Sequence, residues 1–216
     1  MARLRLLLAD DHTLVRHGLR KILEEQPDWE VVGEAEDGRG AVDEAMALHP
    51  DVAILDIGTP HLNGIDAARQ IARKAPDVKV LIVSMHSDEA YVSRALGAGA
   101  KGYLLKDSAG KDLIRAVSAV ANGQSFFSPA VSQLMMEDYR RRATASDGVD
   151  RYDTLSDRER EIFQLVAEGH SNKQVAELLS ISAATVETHR ARILQKLDVH
   201  NTAELVLYAV RHGVIV

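Results

Sequence analysis

"VAILDIGTP", Val52 to Pro60, places four apolar residues directly before Asp56 and follows the acid with Gly58, Thr59 and Pro60. A run this short and apolar reads as a buried strand. An aspartate at the tip of such a strand is either a turn or helix cap or part of a site. The other strands decide between these readings.

Outward from this stretch, β-rich runs at Leu4–Ala9, Glu30–Ala35, Val52–Asp56, Val78–Ser84 and Gly102–Leu105 alternate with helical patterns. The helical patterns fall at Leu14–Glu25, Arg39–Leu48, Ile65–Lys74, Ala90–Leu96 and Asp112–Asn122. Val15, Leu19, Ile22 and Leu23 make the stripe of an amphipathic helix, and Ile114, Val117, Val120 and Ala121 make another. Strands alternating with helices build right-handed βαβ units and a doubly wound parallel sheet covered on both faces. Residues 1–123 are therefore predicted to form an α/β domain with a five-stranded sheet.

The alternation ends at Gly123. "SPAVSQLMMEDYRRR" predicts one helix with Ser128 as N-cap and Pro129 in the first helical position. "ATASDGVD", residues 143–150, is small and polar and reads as a flexible linker. Residues 124–153 are thus a linker with a helix, and 154–216 are purely helical. Ser156 with Glu159 and Ser171 with Gln174 make capping boxes, and Ser182 and Asn201 are further N-caps. Gly169 sits where a C-cap belongs. Four short helices predict a small all-α second domain.

Of the 216 residues, 46% are hydrophobic and 27% charged, which is ordinary soluble globular material. No apolar stretch approaches the roughly 18 residues of a membrane span. The apolar run in "MARLRLLLADD" is too short for a signal peptide and reads as a strand. With no cysteine, disulfides and thiolate metal sites are excluded, in keeping with the cytosol. The net charge of −6 argues against indiscriminate nucleic-acid binding but permits a local basic surface. Residues 151–216 hold eight Lys/Arg and nine Asp/Glu, so most of the acidity lies in the first domain.

In an open α/β sheet, ligands bind beyond the carboxyl ends of the strands. There this chain has Asp10 and Asp11 after the first strand, Asp56 after the third, Ser84 at the end of the fourth and Lys106 after the fifth. Clustered carboxylates raise one another's pKa unless a cation joins them, and an oxygen-only set suits Mg²⁺. A carboxylate can attack phosphorus and form an acyl phosphate, with Mg²⁺ and Lys106 offsetting charge on the transferring group. Any one of these residues alone reads as surface decoration; the set does not.

"LLADDH", "ILDIGTPHLNG", "VSMHS" and "KGYLLKD" occur in an order that resembles the receiver domain of two-component response regulators, over residues 3 to about 123. The resemblance implies strand order 2-1-3-4-5. It makes Asp56 the phosphoacceptor, and has Asp10, Asp11, Asp56 and the backbone carbonyl of Gly58 hold Mg²⁺. It also makes Ser84 the switch hydroxyl, Tyr103 the switch aromatic and Lys106 the family's lysine. Thr59 departs from the family's usual Met, and Gly58 and His86 occupy positions that influence phosphoryl lifetime.

Other motifs carry less. "GAGAKG" matches G-x-G-x-x-G but follows a helix and opens a strand, the reverse of a dinucleotide site. No P-loop, zinc set or nucleophile elbow is present. His12 follows the acidic pair and reads as a surface residue. Haloacid-dehalogenase-like phosphatases resemble D-x-D-G-T at this point; here "DIGT" puts Gly58 in place of the acid/base, which suits a persistent acyl phosphate better than a turnover enzyme.

"SNKQVAELLSISAATVETHRARILQKL" reads as helix, turn, helix, with Val175, Leu178 and Leu179 facing inward on the first helix. Val186, Ile193, Leu194 and Leu197 do so on the second, which can enter a major groove. Thr185, Glu187, Thr188, Ala191 and Arg192 fall mainly off this stripe and can face DNA. Ser171, Asn172 and Lys173 form a helix N-terminus suited to phosphate, and Arg190 and Lys196 add backbone charge. By periodicity alone, a helical bundle for protein contacts is an equal reading. The wording from Leu155 to Val199 resembles the LuxR-type helix-turn-helix. Glu187 replaces the lysine often found there; an acid can accept from a cytosine amine but weakens the electrostatic attraction. The resemblance implies a dimerisation face on the last helix, with Asn201, Leu205, Tyr208 and Ala209; core packing is the alternative.

Together the two resemblances match the NarL/FixJ-type response regulators. They imply a cytoplasmic transcription regulator rather than an enzyme, apart from its own aspartyl phosphorylation and dephosphorylation. The implied cofactor is Mg²⁺. The implied partners are a cognate histidine kinase, double-stranded DNA and a second copy on activation, with no membrane.

Overall fold

Val52–Leu55 forms β3, flanked on both sides, so its four side chains are all buried. The computed structural model describes residues 3–142 and 151–215. The linker read at 143–150 lies outside the described residues. The sheet contains β1 (Leu4–Ala9), β2 (Trp29–Ala35), β3, β4 (Lys79–Ser84), β5 (Gly102–Leu105) and β6 (Phe126–Phe127), in order 2-1-3-4-5-6. Every pairing is parallel. Alternate residues of β3 serve opposite faces, as the pleat requires. Ala53 and Leu55 join one core with Ile65, Ile71 and Ile82, and Val52 and Ile54 join the other with Leu19, Leu113 and Val117.

The helices between strands are α1 (Thr13–Glu24), α2 (Gly38–Leu48), α3 (Gly64–Lys74), α4 (Glu89–Gly97) and α5 (Lys106–Ala121). Helix α5 starts six residues before the predicted Asp112. Ser108 and Gly110, weak helix formers, hide its first turn in the sequence. Its start fixes Lys106 at the tip of β5. "GAGAKG" is structural: Gly99 has φ +99°, and the amides of Gly99 and Ala100 bond to Leu96 and Ala95 in the two-bond pattern that closes a helix.

The expected five strands are six. Gly123, at φ +77°, turns the chain out of α5, and Phe126 and Phe127 then pair with Gly102 and Tyr103. Two residues are too few to leave a periodic signal. Helix α6 (Pro129–Arg142) follows and packs on α4 and β5, with Val131 fully buried beside Val92 and Ala95. Part of the segment predicted as linker therefore belongs to the first domain's packing. Pro129 opens α6 as expected, but the hydroxyl of Ser128 is buried without a hydrogen-bond partner and does not cap it.

Cα packing separates the chain into two units, Met1–Ala145 and Ser146–Val216. The second holds a 3₁₀ turn (Arg151–Thr154) and α7 (Asp157–Ala167), α8 (Asn172–Leu178), α9 (Ala183–Leu197) and α10 (Thr202–Arg211). Both capping boxes form, Ser182 and Asn201 cap α9 and α10, and Gly169 turns the chain out of α7 at φ +92°. Its core joins Tyr152, Phe163, Val175, Val186, Ile193, Leu197, Leu205 and Ala209. Tyr152 precedes the predicted start at 154. Leu178, predicted inward, is 42% exposed, because the short α8 turns only Val175, Ala176 and its C-cap Leu179 into the core. No helix among the described residues is long and apolar enough to cross a membrane.

Candidate functional site

The carboxyl ends of the parallel strands bring Asp10, Asp56 and Lys106 together. Lys106 Nζ lies 2.8 Å from Asp10 Oδ2 and 2.9 Å from Asp56 Oδ2. Both carboxylates are buried, at 2% and 6% exposure. The remaining oxygens are held by backbone: Ile57 N–H donates to Asp56 Oδ1 and His12 N–H to Asp10 Oδ1, each at 2.8 Å. Burial raises the Asp56 carboxyl above the usual carboxylate range, against the pull of Lys106 and with a further push from Asp10. Burial opposes the charge on Lys106, but its two carboxylate partners outweigh this and its pKa is raised.

Asp11 is exposed and bonded to the ring of His12, with Nδ1 and Oδ1 2.7 Å apart. One ligand atom from each of Asp10, Asp11, His12 and Asp56 lies within 4.8 Å of the others. Two buried carboxylates outnumber the single ammonium between them, and Asp11 adds a third oxygen donor. That donor set and charge fit a hard divalent cation such as Mg²⁺.

The loop after Asp56 is pinned from below. Thr59 is buried and donates to the carbonyl of Leu62 at 2.9 Å. Asn63 caps α3, and Gly64 passes so close that a Cβ there would sit 1.9 Å from the Asp56 carbonyl oxygen. A Cβ on Gly58 would instead meet Asp56 Oδ2 at an ordinary 3.6 Å, which places Gly58 at the carboxylate.

Ser84 ends β4, fully buried, and its hydroxyl accepts from His86 N–H at 3.1 Å. Tyr103, fully buried on β5, donates to the carbonyl of the same His86 at 2.7 Å. Burial pushes the Tyr103 phenol up. The His86 ring stacks on Tyr91 of α4, centroids 4.2 Å apart. One residue's backbone thus joins Ser84 to Tyr103, a link the one-dimensional reading missed.

It missed Arg16 as well. This arginine is 6% exposed on the inward stripe of α1. It donates to the Asp10 carbonyl at 2.6 Å, to Glu34 at 3.1 Å and to Glu36 at 2.8 Å. It ties the tips of β1 and β2 together under the acidic pair. The available signal was a cation on a helix stripe otherwise buried at Leu19 and Leu23.

In the second unit the structure sorts the predicted DNA-facing residues. Lys173, Thr185, Glu187, Thr188, Ala191 and Arg192 are exposed. Ser171 is taken up in its capping box. Arg190 is turned inward, donating to Asn172 Oδ1 at 2.6 Å and Thr202 Oγ1 at 2.9 Å, and so joins α8, α9 and α10. Lys196 reaches Glu159 Oε2 at 2.6 Å and the Thr154 carbonyl at 3.1 Å. Each long side chain finds an acceptor within its own unit and ties its helices together. The residues read as a dimer face on α10 are sorted in the same way. Leu205 and Ala209 are 1% and 0% exposed in the core of their own unit, Tyr208 stacks on His212, and Asn201 is the cap. The large apolar residues that α10 leaves exposed are Leu207 and Val210.

Residues 6–118 match the response regulator receiver domain, and residues 153–209 match the bacterial regulatory proteins of the luxR family. The chain is 37% identical to the transcriptional regulatory protein DegU of Brevibacillus brevis, over 98% of this chain and 94% of that one. It is 37% identical to the response regulator protein VraR of Staphylococcus aureus, over 98% and 99%. The RcsB response regulator of Salmonella typhimurium aligns in three dimensions with a TM-score of 0.59 and 30% identity, over 98% of this chain and 100% of that one. An RcsB–DNA complex aligns with a TM-score of 0.59 and 29% identity, over 96% and 98%. Fold and site thus define a receiver joined to a helix-turn-helix unit, the build of a DNA-binding transcription regulator. The chain belongs to the NarL/FixJ-type two-component response regulators.

Proposed function

We propose that Asp56 accepts a phosphoryl group, in the cytoplasm, from a partner histidine kinase or a small phosphodonor, and that this controls dimerisation and sequence-specific DNA binding. The observation that carries the reading is the buried Asp10–Lys106–Asp56 bridge at the strand ends. A lysine held between two carboxylates is placed to pair with a phosphoryl group built on either. The Asp56 carboxylate attacks phosphorus, the bond from phosphorus to the donor atom breaks, and an acyl phosphate forms. Lys106 then pairs with the phosphoryl oxygens, and Ser84 turns its hydroxyl toward them. Asp10, Asp11, Asp56 and the Gly58 carbonyl would hold Mg²⁺, which when bound would supply positive charge to the same oxygens. No acid/base residue follows at Gly58, which favours a lasting acyl phosphate. The chemistry assigned to the chain is the gain and loss of its own phosphoryl group.

Ser84 and Tyr103 share His86, so a turn of the Ser84 hydroxyl releases the His86 amide and shifts the carbonyl that Tyr103 holds. In the second unit α9 enters the major groove and reads bases from Thr185, Glu187, Thr188, Ala191 and Arg192. The N-terminus of α8, with Ser171, Asn172 and Lys173, faces a phosphate. A dimer reads two half-sites with approximate two-fold symmetry.

Beryllofluoride with Mg²⁺ tests the reading. The expected result is a larger dimer population and DNA affinity raised by roughly 5–150-fold, the range of a coupling of about 1–3 kcal/mol. Asp56→Asn removes both responses. A wild-type protein that binds no DNA under any condition overturns it.

A further inference from the structure

The exposed face of α9 carries a carboxylate that its own unit leaves alone. Glu187 is exposed in the second turn of this helix. The positions adjoining it on a helix surface are Ala183, Ala184, Arg190 and Ala191. Three are methyl groups, and Arg190 is committed to Asn172 and Thr202. Among the described residues, no hydrogen bond or ion pair engages Glu187. Glu159 is held by Lys196, and Glu204 by His200 and Asn201; Glu177, open like Glu187, lies on α8 rather than α9.

The neighbouring hydroxyls each make one local bond and keep acceptor lone pairs open. The Thr185 hydroxyl bonds to Ser182, and the Thr188 hydroxyl donates to the Ala184 carbonyl. Glu187 and Arg192 are the charged side chains of this stretch that make no such internal bond. A carboxylate in the groove is repelled by phosphates and gains nothing from counterion release. Only a base-edge donor offsets that. The major groove offers the N6 amine of adenine and the N4 amine of cytosine. Adenine sets the N7 acceptor beside its amine, which repels the second carboxylate oxygen; cytosine sets a C5–H there. The flanking alanines let the helix backbone approach closely.

We propose that Glu187 reads a cytosine in each half-site, accepting a hydrogen bond from its N4 amine, and disfavours duplexes that lack it. This rests on the DNA-binding reading above. The test is in vitro selection from random duplexes by the full-length protein with beryllofluoride and Mg²⁺, as wild type and as Glu187→Ala. Wild type is expected to select half-sites with one fixed G·C pair. Replacing its cytosine by 2-pyrimidinone, which lacks only the amine, is expected to weaken binding about tenfold. The same replacement leaves Glu187→Ala unaffected, and that variant binds unrelated duplex more tightly than wild type. Thermal unfolding of Glu187→Ala matches wild type, since no internal contact is lost. If Glu187→Ala selects the same fixed G·C pair, or if the cytosine amine can be removed without effect on wild type, the inference fails while the DNA-binding reading stands. If wild type selects no duplex, both fail.

Discussion

Charge is used in opposite ways in the two units. In the first, the functional acids are buried and tied to one another: Asp10, Asp56 and Lys106 form one bridge, and Arg16 braces it through the Asp10 backbone. In the second, Arg190, bonded to the neutral Asn172 and Thr202, and Lys196, paired with Glu159, hold the helices in place, while Lys173, Glu187 and Arg192 face outward. On the proposed function, a phosphoacceptor site has to gather charge before its small ligand arrives. A DNA-reading surface has to leave charge unmatched, because the ligand brings the partners.

The sharpest way to break this contrast is Lys106→Met. It leaves two buried carboxylates without their cation and is expected to cost the first unit about 3–5 kcal/mol at neutral pH. Burial already raises the Asp56 carboxyl, and losing Lys106 raises it further. The folded state then binds protons more readily than the unfolded chain. The loss is therefore expected at neutral pH and to fade as pH falls through the raised pKa. Urea unfolding of both proteins across pH measures it; an equal gap at every pH contradicts the bridge.

Leu205→Ala comes next, with an expected loss of about 3 kcal/mol from the second unit. Denaturant unfolding followed by circular dichroism measures this. Unchanged stability with a lost dimer would restore Leu205 to a partner surface.

Lys196→Met is expected to cost about 1–3 kcal/mol. Burial pushes the Glu159 carboxyl up, but bonds from Lys196 and Ser156 pull it below the usual glutamate range. Stability from this pair is present at neutral pH and is lost as pH falls through the depressed pKa. The variant should lose that acid-side decline, and the slope of DNA affinity against salt should stay at the wild-type value. A slope reduced by about one would make Lys196 a phosphate contact instead.

The smallest effects belong to Lys173→Ala and Arg192→Ala. Neither is expected to move unfolding by more than about 0.5 kcal/mol. A phosphate contact at Lys173 lowers the salt slope by about 0.9, whereas a base contact at Arg192 changes site preference instead.

The first unit was legible because parallel topology forces strand ends together: once Val52–Leu55 is a strand, Asp56 must lie beside Asp10 and Lys106. The same logic missed Arg16 and the link that His86 makes between Ser84 and Tyr103, which depend on backbone bonds that no residue pattern encodes. In the second unit every helix start could be read from its cap, since capping is local. Leu205 and Ala209 could not be assigned, because an apolar helix stripe is the same whether it meets its own core or a second chain. The bonds of Lys196 were illegible for a related reason: where a long side chain ends is settled by acceptors distant in sequence, here Glu159 and Thr154.

The two-residue β6 has one more consequence. Its pairing with Gly102 and Tyr103, and the bond from Ser128 N–H to the Tyr103 carbonyl, splice the departing chain onto the strand that carries the buried phenol. The splice and the packed helix α6 extend the first unit beyond the fifth strand. On the proposed function, a displacement of Tyr103 is passed through this splice to the chain that leads out of the sheet.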